Sequence, residues 1–295
     1  MSVVEKAIRK LQESQASGAA TPPEGATPPS QPSPGAARPP DAHAHGAAIV
    51  IERGMLRSAG LLPPEADMSL LARQYRKIKQ PLVARAIGRG VPRTPKGYLV
   101  MIASAMAGEG KTFTTVNLAL SMALERDINV LLVDADVAKP NLSQALGLGK
   151  APGLLDVLRQ PELDVESLIH PTDLPTLAVL PAGTGAHEAA ELLASARMGQ
   201  LTEILGENDK RRIVVFDSAP LLQTTESAAL VRVAGEVVVV VRAESTPQPV
   251  LLDALKMLEG HASVSLVLNQ SVRTADAAYY YYGYGQERTP GGESA

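Results

Sequence analysis

Residues 99–112 read Leu-Val-Met-Ile-Ala-Ser-Ala-Met-Ala-Gly-Glu-Gly-Lys-Thr. The apolar run from Tyr98 to Ala103 has the character of a buried strand, and the small-residue loop Ser104–Gly110 follows it. Lys111 and Thr112 then open a helix carrying Val116, Leu118, Ala119, Leu120, Met122 and Ala123. Strand, glycine loop, Gly-Lys-Thr and helix in that order make a P-loop. Unpaired N–H groups at the helix start point into one concavity, and the helix dipole adds positive potential there. Gly108 and Gly110 allow close approach to phosphate oxygens, Lys111 reaches toward the β- and γ-phosphates, and the Thr112 hydroxyl is a ligand for Mg²⁺. The usual first glycine of the pattern is replaced by Ala105.

Working outward, two further apolar runs end in carboxylates: Val130-Leu-Leu-Val-Asp134-Ala-Asp136, and Ile213-Val-Val-Phe-Asp217-Ser-Ala-Pro220. An Asp that follows a buried strand lies at the carboxyl edge of the sheet, where open α/β folds bind ligands. Beside a P-loop, such carboxylates hold Mg²⁺ directly or through water, and one can take the proton of an attacking hydroxyl. Asn269 ends the last apolar strand. Its amide is of the kind that reads an adenine edge, and equally of the kind that forms a turn.

The runs Asn129–Val133, Arg212–Phe216 and Val237–Val241 are almost purely apolar, as parallel strands covered on both faces are. The pattern predicts strands at 99–104, 129–134, 176–180, 212–217, 236–242 and 264–268. It predicts helices at 111–125, 141–147, 188–206 and 248–259. Alternation of this sort gives a mostly parallel sheet with helices on both faces.

Composition bounds the rest. The chain has 295 residues, 45% apolar and only 3% aromatic, so aliphatic side chains must build its core. The net charge of −3 gives no argument for nucleic acid as a partner. Without cysteine there is no disulfide framework, thiol nucleophile or thiolate metal site, and five scattered histidines suggest no metal cluster. No apolar run approaches ~20 residues, so no transmembrane helix is expected. The start of the chain lacks a signal-peptide core, which makes the cytoplasm the expected location.

Residues 1–12 read as a short amphipathic helix, with Val3, Val4, Ala7, Ile8 and Leu11 on one face. Alone it is too short to be stable in water. Residues 13–48 are rich in Pro, Ala, Gly and Ser, with eight prolines between Pro22 and Pro40, and read as a disordered linker. The remaining body spans 49–272. Its lead-in at 68–96 reads as helical to about residue 90, with Pro81 as a break or kink. It carries Arg73, Arg76, Lys77, Lys79, Arg85, Arg89, Arg93 and Lys96 and no acid. That is a solvated face, a subunit contact or a surface for anionic lipid. From about residue 273 the chain reads as a flexible tail holding five of the seven tyrosines, Tyr279, Tyr280, Tyr281, Tyr282 and Tyr284.

The three motifs together resemble the Walker A, Walker A′ and Walker B motifs of the bacterial tyrosine kinases, and the tyrosine cluster is similar to that family's autophosphorylation tail. The resemblance covers roughly residues 68–285. It implies a P-loop NTPase-like fold of the deviant-Walker superfamily and an ATP-dependent protein-tyrosine kinase. Carried over, it implies that Gly108, Glu109, Gly110, Lys111, Thr112 and Phe113 bind ATP, with Asn269 at the base. Thr112, Asp134, Asp136 and Asp217 surround Mg²⁺, Lys111 and the three aspartates are catalytic, and Asp134 is the base that takes the tyrosine proton. Tyr279–Tyr282 and Tyr284 are acceptors, supplied in trans by a neighbouring subunit. The start Val3-Val-Glu-Lys-Ala-Ile-Arg-Lys-Leu11 and the linker are similar to tyrosine autokinases of exopolysaccharide loci, including the exosortase-associated type. That implies work beside a membrane polysaccharide chain-length protein, at the inner face of the cell membrane, a homo-oligomer and a cognate tyrosine phosphatase.

Two departures stand out. Ala138 and Lys139 occupy the place of the family's frequent Arg after the second Asp pair. Arg73, Arg76 and Lys79 stand where a Glu-x-x-Arg-x-x-Arg oligomerisation helix is common. The rival readings are a partitioning or site-selection ATPase switch, whose P-loop has an extra Lys where this chain has Met106, and a non-catalytic ATP-binding regulatory subunit.

Overall fold

A computed structural model describes residues 48–271 except Ala262. The expected N-terminal helix, nearly all of the linker and the tyrosine tail lie outside the described residues.

Seven strands form one sheet: β1 (Leu99–Ser104), β2 (Asn129–Asp134), β3 (His170–Pro171), β4 (Leu177–Leu180), β5 (Arg212–Asp217), β6 (Glu236–Arg242) and β7 (Val264–Asn269). Their order across the sheet is β3-β4-β2-β5-β1-β6-β7, and every pairing is parallel except that of β3 with β4. The six expected strands are therefore present, and the two-residue β3 is an addition. Among the described residues there are nine α-helices, besides three short 3₁₀ turns: α1 (Arg53–Ser58), α2 (Met68–Ile87), α3 (Lys111–Met122), α4 (Asn141–Ala145), α5 (Leu154–Arg159), α6 (Ala189–Ala194), α7 (Ala196–Asn208), α8 (Thr225–Val233) and α9 (Gln248–Lys256).

Strand side chains alternate between two aliphatic cores, as a period of two demands. Met101, Leu131, Val133, Val214, Phe216, Val237 and Val239 pack on one face with α5, α7 and α8. Val100, Ile102, Val130, Leu132, Ile213, Val215, Val238 and Val240 pack on the other with α1, α2 and α3. Burial on both faces explains why these strands carry no polar alternation.

The chain leaves β1 through α3 to reach β2 on one side, whereas β6 lies on the other side of β1. β1 thus ends at the point where the winding reverses, the crevice in which such sheets bind ligands.

Some expectations need correction. The helix expected at 188–206 is two helices, because Ser195 is extended at ψ 157°. The helix from Lys111 stops at Met122 rather than at 125. Pro81 does not break α2, which runs unbroken from Met68 to Gly88, where a left-handed glycine (φ +76°) returns its N–H to Ala84. Much of the basic lead-in is spent inside the fold. Lys79 is buried, bonded to the Ser121 carbonyl at 2.6 Å and paired with Glu125 at 2.8 Å. Arg85 makes a two-pronged pair with Glu236 (2.6 and 2.8 Å), whose side chain is 1% exposed. Arg89 pairs with Glu125 and Asp127. Arg73 and Arg76 remain exposed on α2.

Candidate active site

The loop after β1 is built to be rigid. Ser104 donates its hydroxyl to the Met106 carbonyl at 2.7 Å. Glu109 is 3% exposed because its carboxylate turns inward, accepting the Met106 N–H at 2.8 Å and the Thr246 hydroxyl. Gly110 caps α3 at φ +93°, a left-handed conformation that favours glycine, and Gly108 is also left-handed at +82°. A Cβ on Gly110 would lie 2.0 Å from Asn269 Nδ2, because that amide donates to the Glu109 carbonyl at 2.9 Å. In this state Asn269 ties the last described strand to the loop through one of its two amide N–H groups.

Register then aligns the carboxylates. Asp134 is directly opposite Asp217, and Asp217 opposite Ile102 of β1. Both aspartates are buried, Asp134 completely. Asp217 Oδ1 lies 3.0 Å from the Thr115 hydroxyl, which shares its proton with the Lys111 carbonyl at 2.9 Å, and Thr112 also bonds this carboxylate. Asp134 Oδ2 accepts both the N–H (2.8 Å) and the hydroxyl (2.7 Å) of Ser143, while its Oδ1 is buried without a partner. Asp136, half-buried at the rim, accepts the Lys139 N–H at 3.2 Å. Lys111 is buried among them.

Burial sets the electrostatics. It pushes Asp134 up to about 7, with the neighbouring Asp217 charge adding to the effect. It pushes Asp217 up to about 6 against the lowering by its Thr112 and Thr115 bonds. Asp136 is raised by burial too. Lys111 is lowered by burial, and Asp217, Asp136 and Glu109 counter that. Carboxylates raised above their unfolded values bind more protons in the native state between about pH 4 and 7. Stability contributed by these groups is therefore fullest below that window and is lost as pH rises through it. Urea midpoints of the nucleotide-free protein measured from pH 5 to 8 should show this fall, and Asp134→Asn should flatten it. A slope unchanged by that substitution would contradict the assignment.

These residues fit a nucleotide with Mg²⁺. Asp134 Oδ1 is an orphaned buried acceptor, and raised carboxylates beside a desolvated Lys and a Gly-rich helix start are what phosphate and a hard cation relieve. Among the described residues no three His, Cys, Asp or Glu side chains converge as a metal cage. Mg²⁺ takes one or two carboxylates and completes its shell with substrate oxygens and water.

The structure brings together Gly108, Glu109, Gly110, Lys111, Thr112, Asp134, Asp136, Asp217 and Asn269 around one sheet edge, with Phe113 in the first turn of α3. Three residues that motif reading passes over complete it, Thr115, Ser143 and Thr246, beside Lys139, which the sequence already set next to the second motif. Lys139, three residues after Asp136, has a local signal and they do not.

A family profile described as an AAA domain matches residues 98–264. Tyrosine-protein kinase YwqD of Bacillus subtilis is 30% identical over 234 residues, which cover 78% of this chain and 94% of that protein. A putative tyrosine-protein kinase EpsB from Ralstonia nicotianae is 34% identical over 187 residues, 63% of this chain. That match takes in 24% of EpsB, so the chain spans about a quarter of this relative's length. The crystallographic VpsO kinase domain superposes with a TM-score of 0.58 at 26% identity, covering 71% of this chain and all of that one. With the P-loop and both strand-end carboxylates in place, the chain belongs to the bacterial tyrosine kinase family.

Proposed function

We propose that this chain is an ATP-dependent tyrosine autokinase. Its acceptors are Tyr279–Tyr282 and Tyr284 of a neighbouring copy, and it serves exopolysaccharide synthesis and export beside a membrane chain-length protein.

The observation that carries the acceptor assignment is where the other tyrosines are. The chain has seven. Tyr75 is a buried residue of α2, its hydroxyl pushed up to about 12 by burial. Tyr98 is half-buried and donates its hydroxyl to the Thr202 carbonyl at 3.2 Å. The remaining five are the C-terminal group.

In this reading the amides of residues 108–112 and the Lys111 ammonium hold the phosphates and the charge that develops on them. Thr112 and Asp217 would hold Mg²⁺, with Asp134 and Asp136 near enough to act through its water shell, and the ion would neutralise the phosphate oxygens further. Asp134, raised to about 7 and with one oxygen unspent, takes the proton of the attacking tyrosine hydroxyl. Its complete burial requires the rim at Asp136 and Lys139 to open for the acceptor. Asn269 faces the loop and would turn to meet a base.

Phosphates on the tail add roughly −1.5 to −2 charge each and loosen a homo-oligomer by repulsion. A tyrosine phosphatase would reset it. Residues 1–48 tether the kinase near a membrane assembly on the cytoplasmic side. Among the described residues no helix is long and apolar enough to cross a membrane.

Intact-mass spectrometry of purified protein with Mg·ATP, followed by peptide mapping, tests the proposal. Several additions of one phosphate mass, all within 279–284, are expected. No addition, even with the partner's cytoplasmic segment present and with ATP bound, leaves a switch or a regulatory subunit instead.

A further inference from the structure

Asp134 is gripped on one side only. Ser143, the third residue of α4, spends both its N–H and its hydroxyl on Oδ2, and Oδ1 has no partner. A hydroxyl has one proton to give and two lone pairs. The Ser143 oxygen also accepts the backbone N–H of Ala182 at 3.0 Å, from a position 39 residues along the chain. That bond fills a lone pair and turns the single proton toward Asp134.

Ala182 is the second residue of the loop after β4, and that loop is held by Asp156 and Arg159. Asp156 Oδ2 accepts the N–H groups of Gly153 (2.9 Å) and Thr184 (3.0 Å), and its Oδ1 accepts the Thr184 hydroxyl at 2.7 Å. Arg159 donates to the carbonyls of Thr184 and Gly185, both at 3.1 Å. Gly183 is left-handed at φ +87°, and a Cβ there would come within 2.5 Å of Asp156 Oδ2.

We infer that Ser143 is a positioning residue, locked as a donor by the loop after β4, which fixes Asp134 so that Oδ2 belongs to the scaffold and Oδ1 to the reaction. This rests on the kinase reading for what Oδ1 does, and on geometry alone for how it is held. Rotation about the terminal torsion of Asp is broad and two-fold. Without the double grip the carboxylate plane swings about that torsion, and the free oxygen loses its aim while the phosphate loop is untouched.

The test uses the full chain with Ser143→Ala, Ser143→Thr and Ser143→Cys. Ser143→Ala should keep the KM for Mg·ATP near that of the wild type while kcat for tail phosphorylation falls roughly ten- to a hundredfold. Threonine, which keeps the hydroxyl, should restore most of that rate. Should its methyl group unfold this buried position, cysteine decides: a weak donor of similar size must behave like alanine. Hydrogen exchange supplies a readout free of activity, since the Ala182 amide should lose protection in the alanine variant. A kcat within twofold of wild type in Ser143→Ala, or unchanged Ala182 exchange, overturns the inference. A wild type that phosphorylates no tyrosine ends the kinase reading instead, and the exchange of Ala182 still decides whether the loop grips Ser143.

Discussion

Lys111→Met should lower the rate of tail phosphorylation at least about a thousandfold, because one positioned charge at the transferring group is worth that much in a desolvated site. Lys111 is 7% exposed, and Asp217, Asp136 and Glu109 all bear on it. Its removal takes away the cation that meets the phosphates and leaves those carboxylates facing one another. Both consequences act against a bound nucleotide, so ATP affinity should fall as well. The strands and α3 are secured by aliphatic packing, so the fold should persist. Timed mass spectra of the 279–284 peptide, wild type beside variant, measure the rate. A variant phosphorylating within tenfold of wild type would remove Lys111 from the chemistry.

Gly110→Ala should be nearly as damaging by a different route. A left-handed conformation costs an ordinary residue roughly 1–2 kcal/mol. The new methyl would also meet the Asn269 amide, whose only way out is to surrender its bond to Glu109, at about 1 kcal/mol more. Together these weaken ATP binding about a hundredfold if the loop shifts to relieve them. Calorimetric titration of ATP checks the figure, and the double variant Gly110→Ala with Asn269→Ala separates the two causes. Removing the amide relieves the collision and leaves the backbone cost, so the double variant should bind better than Gly110→Ala alone. Equal affinities would mean that the tie between β7 and the loop carries no weight.

The sheet was legible because its strands announce themselves. Val237–Val241 or Ile213–Phe216 has no polar face to offer water, and only a strand covered on both sides can use such a run. β3 was invisible because two residues, one of them Pro171, carry no period. The helices α5 and α8 escaped notice for related reasons. Leu154–Arg159 is six residues long and buried on nearly all sides, so it shows no amphipathic stripe. Thr225–Val233 is nine residues long and buries Ser227, Ala229 and Leu230, only one of them large and apolar, behind a capping hydroxyl from Thr224.

At the site, residues near one another in sequence were readable, and those brought together by folding were not. Gly108 to Thr112 form one local device, and a strand-end Asp declares its edge of the sheet. Ser143 reaches Asp134 from nine residues away, Thr115 meets Asp217 across 102, and Thr246 braces Glu109 across 137. Each is a small hydroxyl of a common type. Only the register of β2, β5 and β1 shows which of the many serines and threonines do this. The basic lead-in misled for the same reason: Lys79 and Arg85 look like solvent-facing charge until Glu125 and Glu236 are seen opposite them.

The tie between Asn269 and Glu109 also decides where the acceptor tail is rooted. The last described strand is fastened to the phosphate loop, so the sequence that leads to the proposed acceptors starts beside the nucleotide site. Ten peptide units from Asn269 to Tyr279 reach at most about 33–36 Å, which keeps each chain's own acceptors at millimolar-scale effective concentration around its own site. On the proposed reading a neighbouring copy's tyrosines compete with the chain's own, and the direction from which each enters the site, not distance alone, would decide between them.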